Sequence, residues 1–141
     1  MTHKVIISLA SNHDQEKNLH QARLCLAQIL SSCFYTDAIW TRPFHSGAGG
    51  DFAGSDGEEA MYLNQLVCAT TSLDTDELVH ALKDMEHRMG RCAEDRRQGV
   101  VRIDLDLLQY DSRRHHQQDW DRPYIKALLV AVPPQFSSCG Q

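Results

Sequence analysis

Arg102-Ile103-Asp104-Leu105-Asp106-Leu107-Leu108 alternates apolar and acidic side chains, and a period of two is what a β-strand divides between its faces. Ile103, Leu105 and Leu107 then point into a core, while Asp104 and Asp106 share the other face, about 7 Å apart along the strand. This strand is expected over Val100 to Tyr110. Toward the N-terminus, Lys4 to Ala10 is short and β-branched and reads as a first strand. Asn12 with Gln15 is a candidate capping pair for a helix whose stripe is Leu19, Ala22, Leu26, Ile29 and Leu30. Phe34 to Thr41 reads as a second strand ended by Arg42-Pro43, and Met61 to Thr71 as a third. Asp74 with Glu77 caps a second helix carrying Leu78, Leu82, Met85 and Met89, with Gly90 placed to end it. Pro123 suits the first position of a short last helix through Ile125, Leu128 and Leu129.

The order β-α-β-β-α-β predicts an α+β fold of the ferredoxin-like type, an antiparallel sheet with two helices on one face, plus a short C-terminal helix. Its 141 residues, 42% hydrophobic, suit one domain, expected over 1–132, with 133–141 as a disordered tail. Residues 44–60 hold Gly47, Gly49, Gly50, Gly54 and Gly57 among polar neighbours, the composition of a long loop.

Composition excludes several classes. With 19 acidic against 14 basic residues and a net charge of −5, the bulk field does not favour a general polyanion binder, so a phosphate site must be local. No aromatic RNA-binding strand motif appears, and a nucleic-acid partner is not expected. The run Val5 to Ala10 is too short for a signal-peptide core or a membrane span, and the reading is cytoplasmic. Cys25, Cys33, Cys68, Cys92 and Cys139 include no C-x-x-C pair and fit reduced thiols. The sequence leaves monomer and dimer open.

Asp104 and Asp106 are the chemically pointed pair. Two ionised acids so close raise each other's pKa unless a cation joins them, and hard oxygen ligands suit Mg²⁺ carrying substrate phosphates. A half-solvated acidic strand would give the same pattern, but Arg91, Arg96, Arg97 and Arg102 crowd the loop from Gly90 to Gly99 that leads into it. Arginine is the side chain suited to bidentate phosphate contacts. No G-x-x-x-x-G-K-[ST] is present, which excludes a P-loop kinase.

Together the motifs resemble the 6-hydroxymethyl-7,8-dihydropterin pyrophosphokinase family over most of the chain. The likeness is carried by Ala10-Ser11-Asn12 after the first strand, Thr41-Arg42-Pro43, Tyr62-Leu63-Asn64, Glu86 with Gly90-Arg91, Ile103-Asp104-Leu105-Asp106, and His116, Arg122 and Tyr124 in that order. The resemblance implies that Asp104 and Asp106 hold two Mg²⁺ ions bridging the phosphates of ATP, the co-substrate. It implies that Thr41, Pro43, Tyr62, Asn64 and Tyr124 line a pterin pocket. Glu86, Arg91, Arg97, His116 and Arg122 would contact ATP, with Arg91 and Arg102 joining the aspartates in catalysis. The expected reaction moves pyrophosphate from ATP to the hydroxymethyl group of the dihydropterin and releases AMP, in folate biosynthesis. Segments 44–60 and 91–99 would be its lids. Departures are Val101 where the family has arginine, with Arg102 one position later, Ala10 for the first glycine, Ile39 for a tyrosine, and about eight residues fewer between the aspartates and the histidine. They leave a second expectation, a non-catalytic pterin- or nucleotide-binding or regulatory module on the same frame.

Overall fold

The structure, a computed structural model, describes residues 1–43, 61–90 and 92–136. The chain runs through β1 (His3–Ser11), α1 (Gln15–Leu26), β2 (Ser31–Tyr35), β3 (Ile39–Thr41), β4 (Tyr62–Thr71), α2 (Thr75–Arg88), α3 (Ala93–Arg97), β5 (Asp104–Tyr110), β6 (Arg113–Arg114) and α4 (Pro123–Leu129). The described strands form one sheet in the order β2-β4-β1-β5-β6, with β3 also paired to β4. Every pairing is antiparallel. With β2 and β3 taken as one interrupted strand, this is the ferredoxin-like βαββαβ arrangement, β1 and β4 at its centre.

Burial explains the sheet's two faces. Val5, Ile7 and Leu9 of β1, Leu63 and Val67 of β4, and Leu105 and Leu107 of β5 pack with Leu19, Ala22 and Leu26 of α1 and with Leu78, Leu82 and Met85 of α2. Among the described residues the opposite face is covered only in part. There Ile6, Leu66, Cys68 and Leu108 pack under Trp120, under Ile125 and Leu128 of α4, and under Phe136. Leu107 lies opposite Ile7 while Gln109 lies opposite Ile6, so Leu108 is an extra residue in β5. That bulge lets Leu108 join the second core directly after Leu107 has joined the first.

Several local readings change. α1 is not capped by Asn12; its N-cap is Asp14, in the left-handed region with no side-chain cap, while Gln15 donates to the Met61 carbonyl. Asn12 instead fastens the approach to β5. Its amide donates to the Gly99 carbonyl at 2.9 Å, its Oδ1 accepts the Val101 N–H at 2.7 Å, and its own N–H donates to the Val101 carbonyl at 2.9 Å. β5 therefore begins at Asp104 rather than Val100. The Phe34–Thr41 strand is broken, because Thr36 turns its N–H and hydroxyl to the Leu66 carbonyl and accepts the Leu66 N–H. α2 has the capping box read from Asp74 and Glu77, and Gly90 follows it at a φ of 111°. The tail stays docked as far as Phe136, whose carbonyl accepts from Gln109 at 2.7 Å; residues 137–141 lie outside the described residues.

Candidate active site

Antiparallel register builds the site. Asp104 pairs with Ala10, Ala10 with Asn64 and Asn64 with Ile39, one row across the sheet. Asp106 pairs with Ser8, and Ser8 with Leu66, one row further in. Side chains in line across a sheet share a face, so both aspartates stand on the face that α1 and α2 leave open. Ser8 and Ala10 are short and partly exposed, leaving a shallow floor between the acids of β5 and Asn64 of β4. Neighbouring strands are about 4.8 Å apart, so this floor is on the order of 10 Å wide.

The far side of the floor is set by hydrogen bonds. The Asn64 amide is buried and donates to the Ile39 carbonyl at 3.1 Å, to Thr41 Oγ1 at 2.9 Å and to the Tyr62 carbonyl at 3.3 Å, which ties β3 to β4 beside the floor. The phenols of Tyr62 and Tyr124 both feel the charges of Asp104 and Arg122. Burial pushes the Tyr62 phenol up, with Asp104 and Tyr124 adding to it. Burial also raises Tyr124, against the hydrogen bond and positive charge of Arg122. Both phenols therefore stay protonated and able to donate. Pro43 follows β3, half-buried.

The third side comes from the turn before α4. His116, in the left-handed region at a φ of 55°, holds Nε2 3.9 Å from Asp106 Oδ1 and Nδ1 4.0 Å from Asp119 Oδ2. Arg122 Nε lies 3.4 Å from Asp119 Oδ1. Trp120 anchors this turn by donating to the His115 carbonyl at 3.0 Å, with the Arg114 guanidinium 4.0 Å over its ring.

The structure thus gathers Asp104, Asp106, Tyr62, Asn64, Thr41, His116, Arg122 and Tyr124 around one floor. Other residues expected at the site are placed elsewhere. Arg102 pairs with Asp95 of α3 at 2.8 Å and packs against Gly90, where a Cβ would lie 2.9 Å from its Cδ. Its guanidinium holds the Asp95 carboxyl below the usual range. Arg97 is exposed and pairs with Glu94. Glu86 is 1% exposed and accepts the Leu105 N–H at 2.7 Å, so it supports β5 from the helix side. Arg91 and segment 44–60 lie outside the described residues, whereas 92–99 folds around α3.

A further side chain joins the acids: Lys83 reaches from α2 around the flank of β5 to within 3.5 Å of Asp106 Oδ1. Its only sequence signal is the spacing of three to Glu86, which puts both on one side of α2. Among the described residues no group of three or more His, Cys, Asp or Glu is arranged to hold a metal. Two carboxylates on an open face remain, a donor set that fits Mg²⁺, which keeps several waters or substrate phosphates as ligands. No helix among the described residues is long and apolar enough to cross a membrane.

Comparison with known proteins gives concordant matches. The family model for 7,8-dihydro-6-hydroxymethylpterin-pyrophosphokinase matches residues 6–134. A folate synthesis bifunctional protein of Arabidopsis thaliana is 28% identical over 141 residues, covering 90% of this chain and 26% of its own length. A second from that plant, named as mitochondrial, is 28% identical over 144 residues, covering 91% of this chain and 23% of its own length. One from Pisum sativum, also named as mitochondrial, is 36% identical over 81 residues, 52% of this chain and 16% of its own length. The chain spans about a quarter or less of the length of these curated relatives.

Proposed function

The chain belongs to the 7,8-dihydro-6-hydroxymethylpterin-pyrophosphokinase family, and from that premise we propose that it transfers pyrophosphate from ATP to 6-hydroxymethyl-7,8-dihydropterin in folate biosynthesis. The observation that carries this reading is the shared face of Asp104 and Asp106, opening on a floor walled by Tyr62, Asn64, Tyr124, Arg122 and His116. The names of the curated relatives, folate synthesis bifunctional proteins, support the pathway. Exposed or partly buried cysteines at 25, 33 and 92 are free thiols and suit a reducing compartment such as the cytoplasm, while two relatives carry a mitochondrial designation.

Asp104 and Asp106 are the residues that would hold two Mg²⁺ ions, which supply charge neutralisation for the ATP phosphates and for the oxygen leaving the β-phosphorus. Arg122 and His116 stand beside the acids to balance phosphate charge. Tyr124 and Tyr62 offer flat apolar surfaces with phenolic donors to a pterin ring, and Asn64, fixed through its amide, keeps Thr41 and the Tyr62 backbone in place around it. The substrate hydroxyl oxygen forms a bond to the β-phosphorus as the bond from that phosphorus to the α–β bridging oxygen breaks. AMP leaves with the bridging oxygen, and the hydroxyl proton goes to solvent. No side chain need act as a covalent nucleophile, because alignment and charge stabilisation can carry a transfer of this kind.

Purified protein given ATP, Mg²⁺ and the hydroxymethyl dihydropterin should release AMP in step with pterin pyrophosphate. Asp104→Ala or Asp106→Ala should lower that rate by at least about a hundredfold, the scale of losing a major charge-stabilising group, with the circular dichroism spectrum unchanged. Ligand binding without AMP would replace this reading with that of a non-catalytic binding module.

A further inference from the structure

Lys83 sits on α2, on the side of the sheet opposite the floor, and reaches around the flank of β5. Its Nζ is 3.2 Å from Glu86 Oε2, 3.4 Å from the Leu105 carbonyl it donates to, and 3.5 Å from Asp106 Oδ1. Glu86 is buried and takes the Leu105 N–H, so the i,i+3 pair satisfies both polar groups on the open edge of β5 at Leu105. Lys83 differs from Glu86 in its freedom. Its side chain is 47% exposed and lines a pocket of about 40 Å³ with Asp106, His115 and His116. Its ammonium thus stands between two carboxylates, 3.2 Å from Glu86 Oε2 and 3.5 Å from Asp106 Oδ1.

We propose that Lys83 is a positioning residue that serves as the resident counter-cation of Asp106, steadying that carboxylate in the ligand-free protein and competing with a divalent ion for its Oδ1 atom. The inference rests on the reading of Asp104 and Asp106 as metal ligands. A divalent ion arriving alone at Asp106 meets an ammonium already beside the oxygen it needs, so free metal binds weakly. A triphosphate brings the negative charge that offsets this repulsion, and its oxygens give the half-exposed ammonium an alternative partner. The site therefore accepts metal together with nucleotide in preference to metal alone.

The test is the affinity for Mn²⁺ alone, read by electron paramagnetic resonance of the free ion without nucleotide. Lys83→Met should bind Mn²⁺ at least fivefold more tightly than the natural chain, Lys83→Gln should shift the same way, and Lys83→Arg should not. The gain should vanish in an Asp106→Asn background and shrink when ATP is added. Gln keeps a donor for the Leu105 carbonyl, so it carries the test should Met unfold the edge. A purely structural Lys83 predicts unchanged or weaker Mn²⁺ binding in Met and Gln variants; that result, with Asp106→Asn still weakening the site, overturns the counter-cation and leaves the metal ligands standing. Affinity indifferent to both Asp104→Asn and Asp106→Asn overturns the metal reading and this inference with it.

Discussion

His115 lines the recess beside Asp106, and its Nε2 is buried with no hydrogen-bond partner among the described residues. Its pKa is held below the ordinary 6.5, chiefly by burial and then by the positive charge of His116 and Arg113. The unfolded chain therefore takes up this proton first as pH falls below about 6.5, and the folded chain loses stability from there down toward its own lower value. His115→Gln should flatten that loss: between pH 7.5 and pH 5.5 its melting temperature should fall less than that of the natural chain. Equal falls would assign the acid sensitivity to other histidines. Single residues were unequally legible. Asp104 and Asp106 could be read because strand alternation is a strict rule and both neighbours are apolar. Arg102 could not, because its partner Asp95 comes from α3, a helix of five residues inside what composition presents as a charged loop. Asn12 has a side chain that suits a helix cap, yet three bonds to Gly99 and Val101 take it across the molecule.

At the scale of elements, α2 does more than bury a stripe. Its capping box was visible in Asp74 and Glu77, since the motif is local and its geometry follows from the helix itself. Asp74→Ala should cost about 1 kcal/mol of unfolding free energy. The family resemblance implies a nucleotide contact for Glu86; the structure places it on the buried side of α2, where it closes the edge of β5. An unpaired edge amide away from water is costly, and the Leu105 N–H has this carboxylate as its acceptor. Glu86→Ala should destabilise the protein by about 2–3 kcal/mol, the scale for orphaning a buried donor that bonds to a charge. Glu86→Gln should recover more than half of that, since its side-chain oxygen still accepts. Urea unfolding monitored by tryptophan fluorescence gives both numbers, and equal losses in the two variants would show that charge rather than hydrogen bonding secures the edge. The start of β5 at Asp104 was not legible for a related reason: Val100 and Val101 look like strand, but Asn12 takes the Val101 N–H and the carbonyls of Gly99 and Val101, so these groups bond locally instead of extending the ladder.

At the scale of the molecule, the sheet has one face given to packing and one divided between packing and the candidate site. Element order and helical stripes made the first face readable, since α1 and α2 carry long periodic patterns. The second was hard to read because its cover is assembled from short pieces: α4, the turn holding Trp120, and Phe136. This division makes a prediction that separates packing from function. Leu19 of α1 and Leu128 of α4 are both buried, and either Leu→Ala change should cost about 3 kcal/mol through lost transfer energy and the cavity left behind. Their effects on ligands should differ. α4 begins at Pro123 with Tyr124 in its first turn and Arg122 as its N-cap, so loosening Leu128 moves the wall of the site, whereas Leu19 supports only the far side of the sheet. Measured well below their melting temperatures, Leu128→Ala should weaken binding of the dihydropterin and ATP about tenfold and Leu19→Ala less than twofold. Equal weakening at equal stability loss would mean that the two cores act as one cooperative unit and that α4 holds no separate control over the site.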